Sequence, residues 1–256
     1  MSTQKKVPPE LDQIIDKVFG YKPSKVLDEP SEVPAAAGAW SVSVDDIFKN
    51  GDVRLDATHF DPKTAGAVQE LRESGIELEP LSNLALVELR SQFTRIWARD
   101  HKHGIPYLNA TDLLSLLALG IPAGGYRYLS HATETNINSL IIREGWLLMT
   151  CSGTIGRVFY VPKRLDGWAA THDLIRVIPK KNNLAGYLYA WLSNPVAQSQ
   201  ILSYTHGGQI DHVTDDQVAE VLVPRLSPDQ VKNIHNKVIK ALRARERAIQ
   251  TLSNVW

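Results

Sequence analysis

WLLMTCSGTIGRVFYVP, Trp146 to Pro162, holds the only cysteine of the chain and sets Gly153 and Gly156 between apolar runs rich in strand-forming residues. A thiol nucleophile needs its pKa lowered by a nearby histidine or helix N-terminus, and His172 with Asp173 in ATHDLIRV are the candidate partners. A cysteine that closes an apolar run has the pattern of a small buried hydrophobe instead. A P-loop needs a wider glycine spacing ending in Lys-Ser/Thr at a helix start, and a dinucleotide fingerprint needs a third glycine; neither is present. Since VFYVP is strand-forming, the stretch predicts strand, turn, strand, with the glycines permitting unusual backbone angles and the close approach of a ligand.

Around this centre, Trp40 to about Pro224 mixes short β-rich runs (LALVEL, TRIWAR, LIIREGWLLM, DLIRVIP) with loops and two helical patches. The expected fold class is α+β, a β-rich domain with a substantial sheet. In AGYLYAWLSNPVAQSQILSY, Leu188, Trp191 and Leu192 share a helical face until Asn194-Pro195 resets the helix. In TDDQVAEV, Thr214 and Gln217 have capping-box spacing. The last segment is the most regular: Ser227 is the N-cap, Pro228 the first helical residue, and Gln230 completes a second capping box. Its stripe Val231, Ile234, Val238, Ala241, Arg245, Ala248, Leu252, widened by Leu242 and Ile249, is a seam for another helix or for its own domain. At the other end, Glu10 to Phe19 reads as a short helix, followed from Pro23 by a Pro, Ala and Ser-rich linker. The organisation expected is therefore residues 1–40 as helix and linker, 41–226 as the domain, and 227–256 as a spacer or dimerisation helix.

Composition narrows the function. The chain has 256 residues and 43% hydrophobic content, enough for a core, and no internal repeat is evident. Its 28 basic and 28 acidic residues cancel, so bulk electrostatics gives no tight nonspecific nucleic-acid binding. The balance is uneven: Arg225 to Trp256 carries seven Lys or Arg against two Asp or Glu. One cysteine excludes an intramolecular disulfide, and MSTQKKVPPE lacks a secretory apolar run, so a reducing cytoplasm is expected. The richest apolar run, LLSLLALGIP from Leu113, is shorter than the roughly 18 residues a membrane span needs. Asp100-His101-Lys102-His103 spaces its histidines to opposite faces of a strand and reads as a solvated loop rather than a metal site. No paired-carboxylate, Ser-His-Asp or S-adenosylmethionine signature emerges, so neither a catalytic residue nor a metal is expected.

Taken in order, RLDATHFDP (54–62), GIPYLNATDL (104–113), GWLLMTCSGTIGRV (145–158), HDLIRVIP (172–179) and the stretch from Gly186 to Gln230 resemble one target recognition domain of the DNA specificity (S) subunit of type I restriction-modification systems. The resemblance implies a non-catalytic subunit that reads one half of a bipartite double-stranded DNA site and docks a DNA adenine methyltransferase. S-adenosylmethionine would belong to that partner, and a restriction subunit would be a further one. It also implies that the Cys151 position is structural, and that the Val231 to Leu252 seam is a spacer. His59-Phe60 departs from the paired aromatics of the family. One recognition domain and one spacer stand where a typical S subunit has two, which leaves three arrangements: two copies joined through their seams, a piece of a longer protein, or a second half supplied by another subunit.

Sequence readout needs loop side chains at base edges, with Arg, Lys and backbone amides on phosphates. The candidate DNA contacts are Lys102, Arg127, Thr154, Arg157, Lys163, Arg164, Gln209 and His212. Those for the helix interface are Val231, Ile234, Val238, Leu242, Arg245, Ile249 and Leu252. Two rival readings differ in kind: an interaction module or inhibitor on the same fold that binds the methyltransferase without reading DNA, and a cysteine hydrolase.

Overall fold

The computed structural model describes residues 62–118, 120–122, 125–205 and 212–253. The expected helix Glu10 to Phe19, its linker, the RLDATHFD stretch, Gln209 and the side chain of Leu252 lie outside the described residues.

The chain runs α1 (Pro62–Glu73), β1 (Leu78–Pro80), α2 (Leu81–Leu84), β2 (Ala85–Glu88), β3 (Trp97–Ala98), β4 (Gly104–Leu108), α3 (Asp112–Ala118), β5 (Arg127–Ser130), α4 (Ile137–Leu140), β6 (Leu147–Thr150) and β7 (Val158–Tyr160). It continues through a 3-10 turn at Lys163–Leu165, β8 (Ala169–Ala170), β9 (Leu174–Pro179), a second such turn at Asn182–Leu184, α5 (Ala185–Leu192), α6 (Pro195–Ser203), α7 (Asp215–Ala219), β10 (Leu222–Pro224) and α8 (Pro228–Ser253). The fold class is α+β, with a long C-terminal helix. Two details differ from the sequence reading. Helices α1 and α3 join the two anticipated patches, and LIIREGWLLM is no single strand, because Gly145 turns the chain at φ +86° before β6 begins.

Among the described residues three sheets form, ordered β2-β9-β6-β7, β3-β5-β4-β8 and β1-β10. All pairs are antiparallel except β4 with β8, where Tyr107 faces Ala169 and Leu108 faces Ala170. The first sheet is covered on both faces. Leu147, Met149, Ile175 and Val177 pack with Tyr187, Leu188, Trp191 and Ile201 from α5 and α6. Leu148, Phe159 and Leu174 turn the other way, onto Leu108, Leu113, Leu116 and Ala170.

Arg176 of β9 points to this second side, fully buried. Its guanidinium donates to the carbonyls of Leu174 and Ala170 at 2.9 Å, Thr171 at 3.3 Å and Leu140 at 3.4 Å. Burial, aided by Arg90, brings its pKa down to about 10. It remains charged at neutral pH, and carbonyl dipoles hold it between the two large sheets.

The helices begin where the sequence specifies. Asn194 Oδ1 accepts from Val196 N at 2.9 Å and Pro195 opens α6. Thr214 and Gln217 close a reciprocal capping box on α7, and Ser227 with Gln230 closes another on α8. Helix α8 lies against α5 and the Asn182–Leu184 turn. Part of the stripe packs against its own domain. Val231 and Ile234 join the main core, and Ile249 is 8% exposed. Ala241 and Ala248, expected on the seam, face solvent, while Leu242 and Ile249 turn inward. A straight helix drifts about 20° per heptad, so contact follows the 3.6 period rather than 3.5. The docking is close: a Cβ on Gly186 would lie 2.7 Å from the His235 carbonyl oxygen, and Gly186 N donates to His235 Nδ1 at 3.1 Å.

Candidate nucleic-acid interface

The glycine turn is built around Thr150. Its hydroxyl accepts from Arg157 N at 3.0 Å and donates to the Thr154 carbonyl at 2.5 Å, while Gly156 N donates to the Thr150 carbonyl at 3.0 Å. Gly153 and Gly156 take φ +66° and +82°, the left-handed region where side chains are strained. Gln198 Nε2 of α6 clamps the Gly156 carbonyl at 2.8 Å, where a Cβ would strike the Gln198 side chain. The buried Ile155 pins the loop from below, and Thr154 and Arg157 stay exposed on its crest. Ser152 bridges His212, so the exposed His212 sits beside the turn.

Cys151 does not suit nucleophilic work. Its thiol is 7% exposed and donates to the Asp173 carbonyl at 3.2 Å. Burial, with the Asp173 charge behind it, pushes its pKa up to about 11, which leaves little thiolate at neutral pH.

The second cluster lies on the β3-β5-β4-β8 sheet. Arg127 opens β5, its guanidinium carbon 5.8 Å from the centre of the Trp97 ring. Trp97 meets Tyr107 edge-on at 5.3 Å, and Arg95 lies 5.9 Å from the Tyr107 ring centre. Arg95 Nε donates to the Tyr107 hydroxyl at 3.0 Å and Nη2 to Thr171 Oγ1 at 3.2 Å. Trp97 is 45% exposed and Tyr126, edge-on to Trp168 at 5.6 Å, is 57% exposed. Arg127, Trp97 and Tyr126 thus stand exposed along one rim of the sheet, with Tyr107 buried behind Trp97 and Arg95 half-buried between Tyr107 and Thr171. Lys102 stands exposed in the turn between β3 and β4. Asp100 Oδ1 holds that turn, accepting from Lys102 N at 3.0 Å and lying 2.7 Å from His103 Nδ1.

Lys163 and Arg164 belong elsewhere, in the 3-10 turn facing α8. Arg164 Nε donates to Glu246 Oε2 at 2.7 Å, tying the domain to its helix, and Arg164 Nη2 is buried without a hydrogen-bond partner among the described residues. The candidates therefore divide among the sheet rim (Lys102, Arg127), the glycine turn (Thr154, Arg157, His212) and the helix junction (Lys163, Arg164). Sequence reasoning missed Arg95, Trp97 and Tyr126. The signal was in TRIWAR, where Arg95, Trp97 and Arg99 recur at the two-residue period of one strand face.

A family model, type I restriction modification DNA specificity domain, matches residues 91–242. No curated protein matches the chain. Among solved structures, the type I restriction-modification S subunit from M. genitalium is 12% identical at TM-score 0.47, covering 71% of this chain and 43% of that one. The HsdS subunit from Thermoanaerobacter tengcongensis is 12% identical at TM-score 0.46, covering 70% and 40%. The type IIG restriction endonuclease BpuSI is 11% identical at TM-score 0.47, covering 73% and 29%. The chain thus spans less than half the length of the specificity subunits it matches. Among the described residues no helix is long and apolar enough to cross a membrane.

Proposed function

Because the chain belongs to the type I restriction modification DNA specificity domain family, we propose that it reads one half of a bipartite DNA site and docks a DNA adenine methyltransferase that performs the chemistry with its own S-adenosylmethionine. The observation that carries the reading is the exposed pair Arg127 and Trp97, backed by the buried ring of Tyr107 and the half-buried Arg95. Guanidinium groups offer bidentate contacts to guanine edges, and the neighbouring aromatic holds each fork in a limited set of orientations. Lys102, and Arg157 on the glycine turn, are then phosphate contacts that set register. Zero net charge supports weak, salt-sensitive binding by the chain alone, so stable engagement requires the methyltransferase to enclose the duplex.

The decisive experiment is methylome sequencing of cells that express the chain with an adenine methyltransferase encoded beside it. A bipartite modified motif that disappears when the chain is omitted is the expected result, and its symmetry reports whether two copies act together. A motif unchanged by omission overturns the reading and favours a methyltransferase-binding module that does not read DNA. Tight solitary binding to DNA at physiological salt would count against the enclosing role given to the methyltransferase.

A further inference from the structure

Between the C-terminal half of α8 and the Lys163–Leu165 turn lies a half-open cleft of about 460 Å³. Its floor is apolar, made of Phe159, Pro162, Leu242 and the ring of Tyr160. Its walls are basic: Lys163 and Arg164 on the domain side, Arg243, Arg245 and Arg247 on the helix side, against the carboxylates Glu144 and Glu246. Glu246 is engaged by Arg164, and Arg245 donates to the Leu116 carbonyl at 3.1 Å. Lys163, Arg243 and Arg247 remain exposed and form no ion pair with any described residue. Cations gathered around one concavity repel one another until an anion enters.

Shape selects among phosphate-bearing partners. A duplex, whose major groove alone is about 12 Å wide, meets broad basic surfaces rather than a narrow two-walled slot. The volume falls in the roughly 300–1,000 Å³ range of small-ligand pockets, which pair an apolar lining with a few convergent polar groups. We infer that this cleft binds a nucleoside polyphosphate. Its phosphates lie among Lys163, Arg243 and Arg247, its base covers Tyr160 and Leu242, and Glu144 accepts from a ribose hydroxyl or base amino group. The site shares no residue with the Arg127 and Trp97 rim, so it goes beyond the DNA-reading function and stands or falls separately. Since the cations come from both the domain and α8, a bound nucleotide clamps the helix and raises stability by linkage.

Thermal melting and calorimetry of the full chain with ATP, GTP, inorganic triphosphate and a short DNA duplex test this. A saturable rise in Tm with a nucleoside triphosphate is expected, with inorganic triphosphate roughly tenfold or more weaker. R243A/R247A loses about tenfold or more in nucleotide affinity while its ligand-free melting is unchanged, both side chains being solvent-facing. K163A, on the opposite wall, gives a loss of the same sign. Four outcomes overturn the proposal: triphosphate binding as well as the nucleotides, affinity surviving in the variants, duplex DNA as the sole ligand, or no shift with any of them.

Discussion

In the β2-β9-β6-β7 sheet every residue of Leu147–Thr150 is buried, whereas in the β3-β5-β4-β8 sheet Trp97 is nearly half exposed and Arg127 stands at the surface. Both sheets have four strands and come from interleaved segments. The first is packed on two faces, by α5 and α6 on one side and by Leu108, Leu113 and Ala170 on the other. The second buries Leu129 and Tyr107 but leaves its rim aromatics and guanidinium groups uncovered. A sheet covered twice can change little without unfolding, and one covered once is free to vary what it displays. Scaffold and display are thus divided between the sheets, with Arg176 holding the boundary.

Removing that boundary has the largest expected effect. Arg176→Ala strands buried carbonyls and lowers stability by about 3–5 kcal/mol, read as the shift in the denaturant midpoint. A drop below about 1 kcal/mol would show that the two sheets do not depend on it. Next, Arg127→Ala with Trp97→Ala lowers DNA affinity of the methyltransferase complex by roughly 1–3 kcal/mol with little loss of stability. Equal losses of folding and binding would erase the division between the sheets. Gly186→Ala, which forces α8 off α5, costs about 1–3 kcal/mol in unfolding free energy.

The smallest effect depends on pH. Burial, with Arg243 nearby, lowers the pKa of His235 from the ordinary imidazole value. Above that value both folded and unfolded chains are neutral here and stability is full. As pH falls below it, the unfolded chain takes up the proton first, and protonation of Nδ1 also removes the acceptor for Gly186 N, so stability declines. Thermal melts across this window should slope downward toward acid, and His235→Gln should flatten the slope. An unchanged slope in that variant assigns the loss to other groups.

What the sequence made legible follows the range of the interaction. The Asn194-Pro195 break, both capping boxes and the glycine turn are decided within a few residues, and each appears where expected. Arg176 was hidden because DLIRVIP reads as a strand with one polar face, and only the second layer, from Ala170 and Leu140, makes that face interior. The parallel pairing of β4 with β8 joins Tyr107 to Ala169 across α3, β5, α4, β6 and β7, beyond any local pattern. At the interface, Lys102 and Arg127 were visible as loop cations, and the structure sets Arg127 at the start of β5. Arg164 was visible too, but its partner Glu246 is 82 residues away. The stacking of Arg127 on Trp97 depends on the register that sets Trp97 opposite Leu129.

Helix α8 has 26 residues, about 39 Å at 1.5 Å per residue, and is fastened near its start at His235, farther on at Arg245 and Glu246, and near its end at Ile249. A rod riveted along its shaft cannot swivel about one end. Any torque applied at its tip must rotate the whole body, carrying the tryptophan rim through the same angle. The molecule thereby behaves as a vernier, in which the position of the shaft and the bearing of the rim are a single quantity.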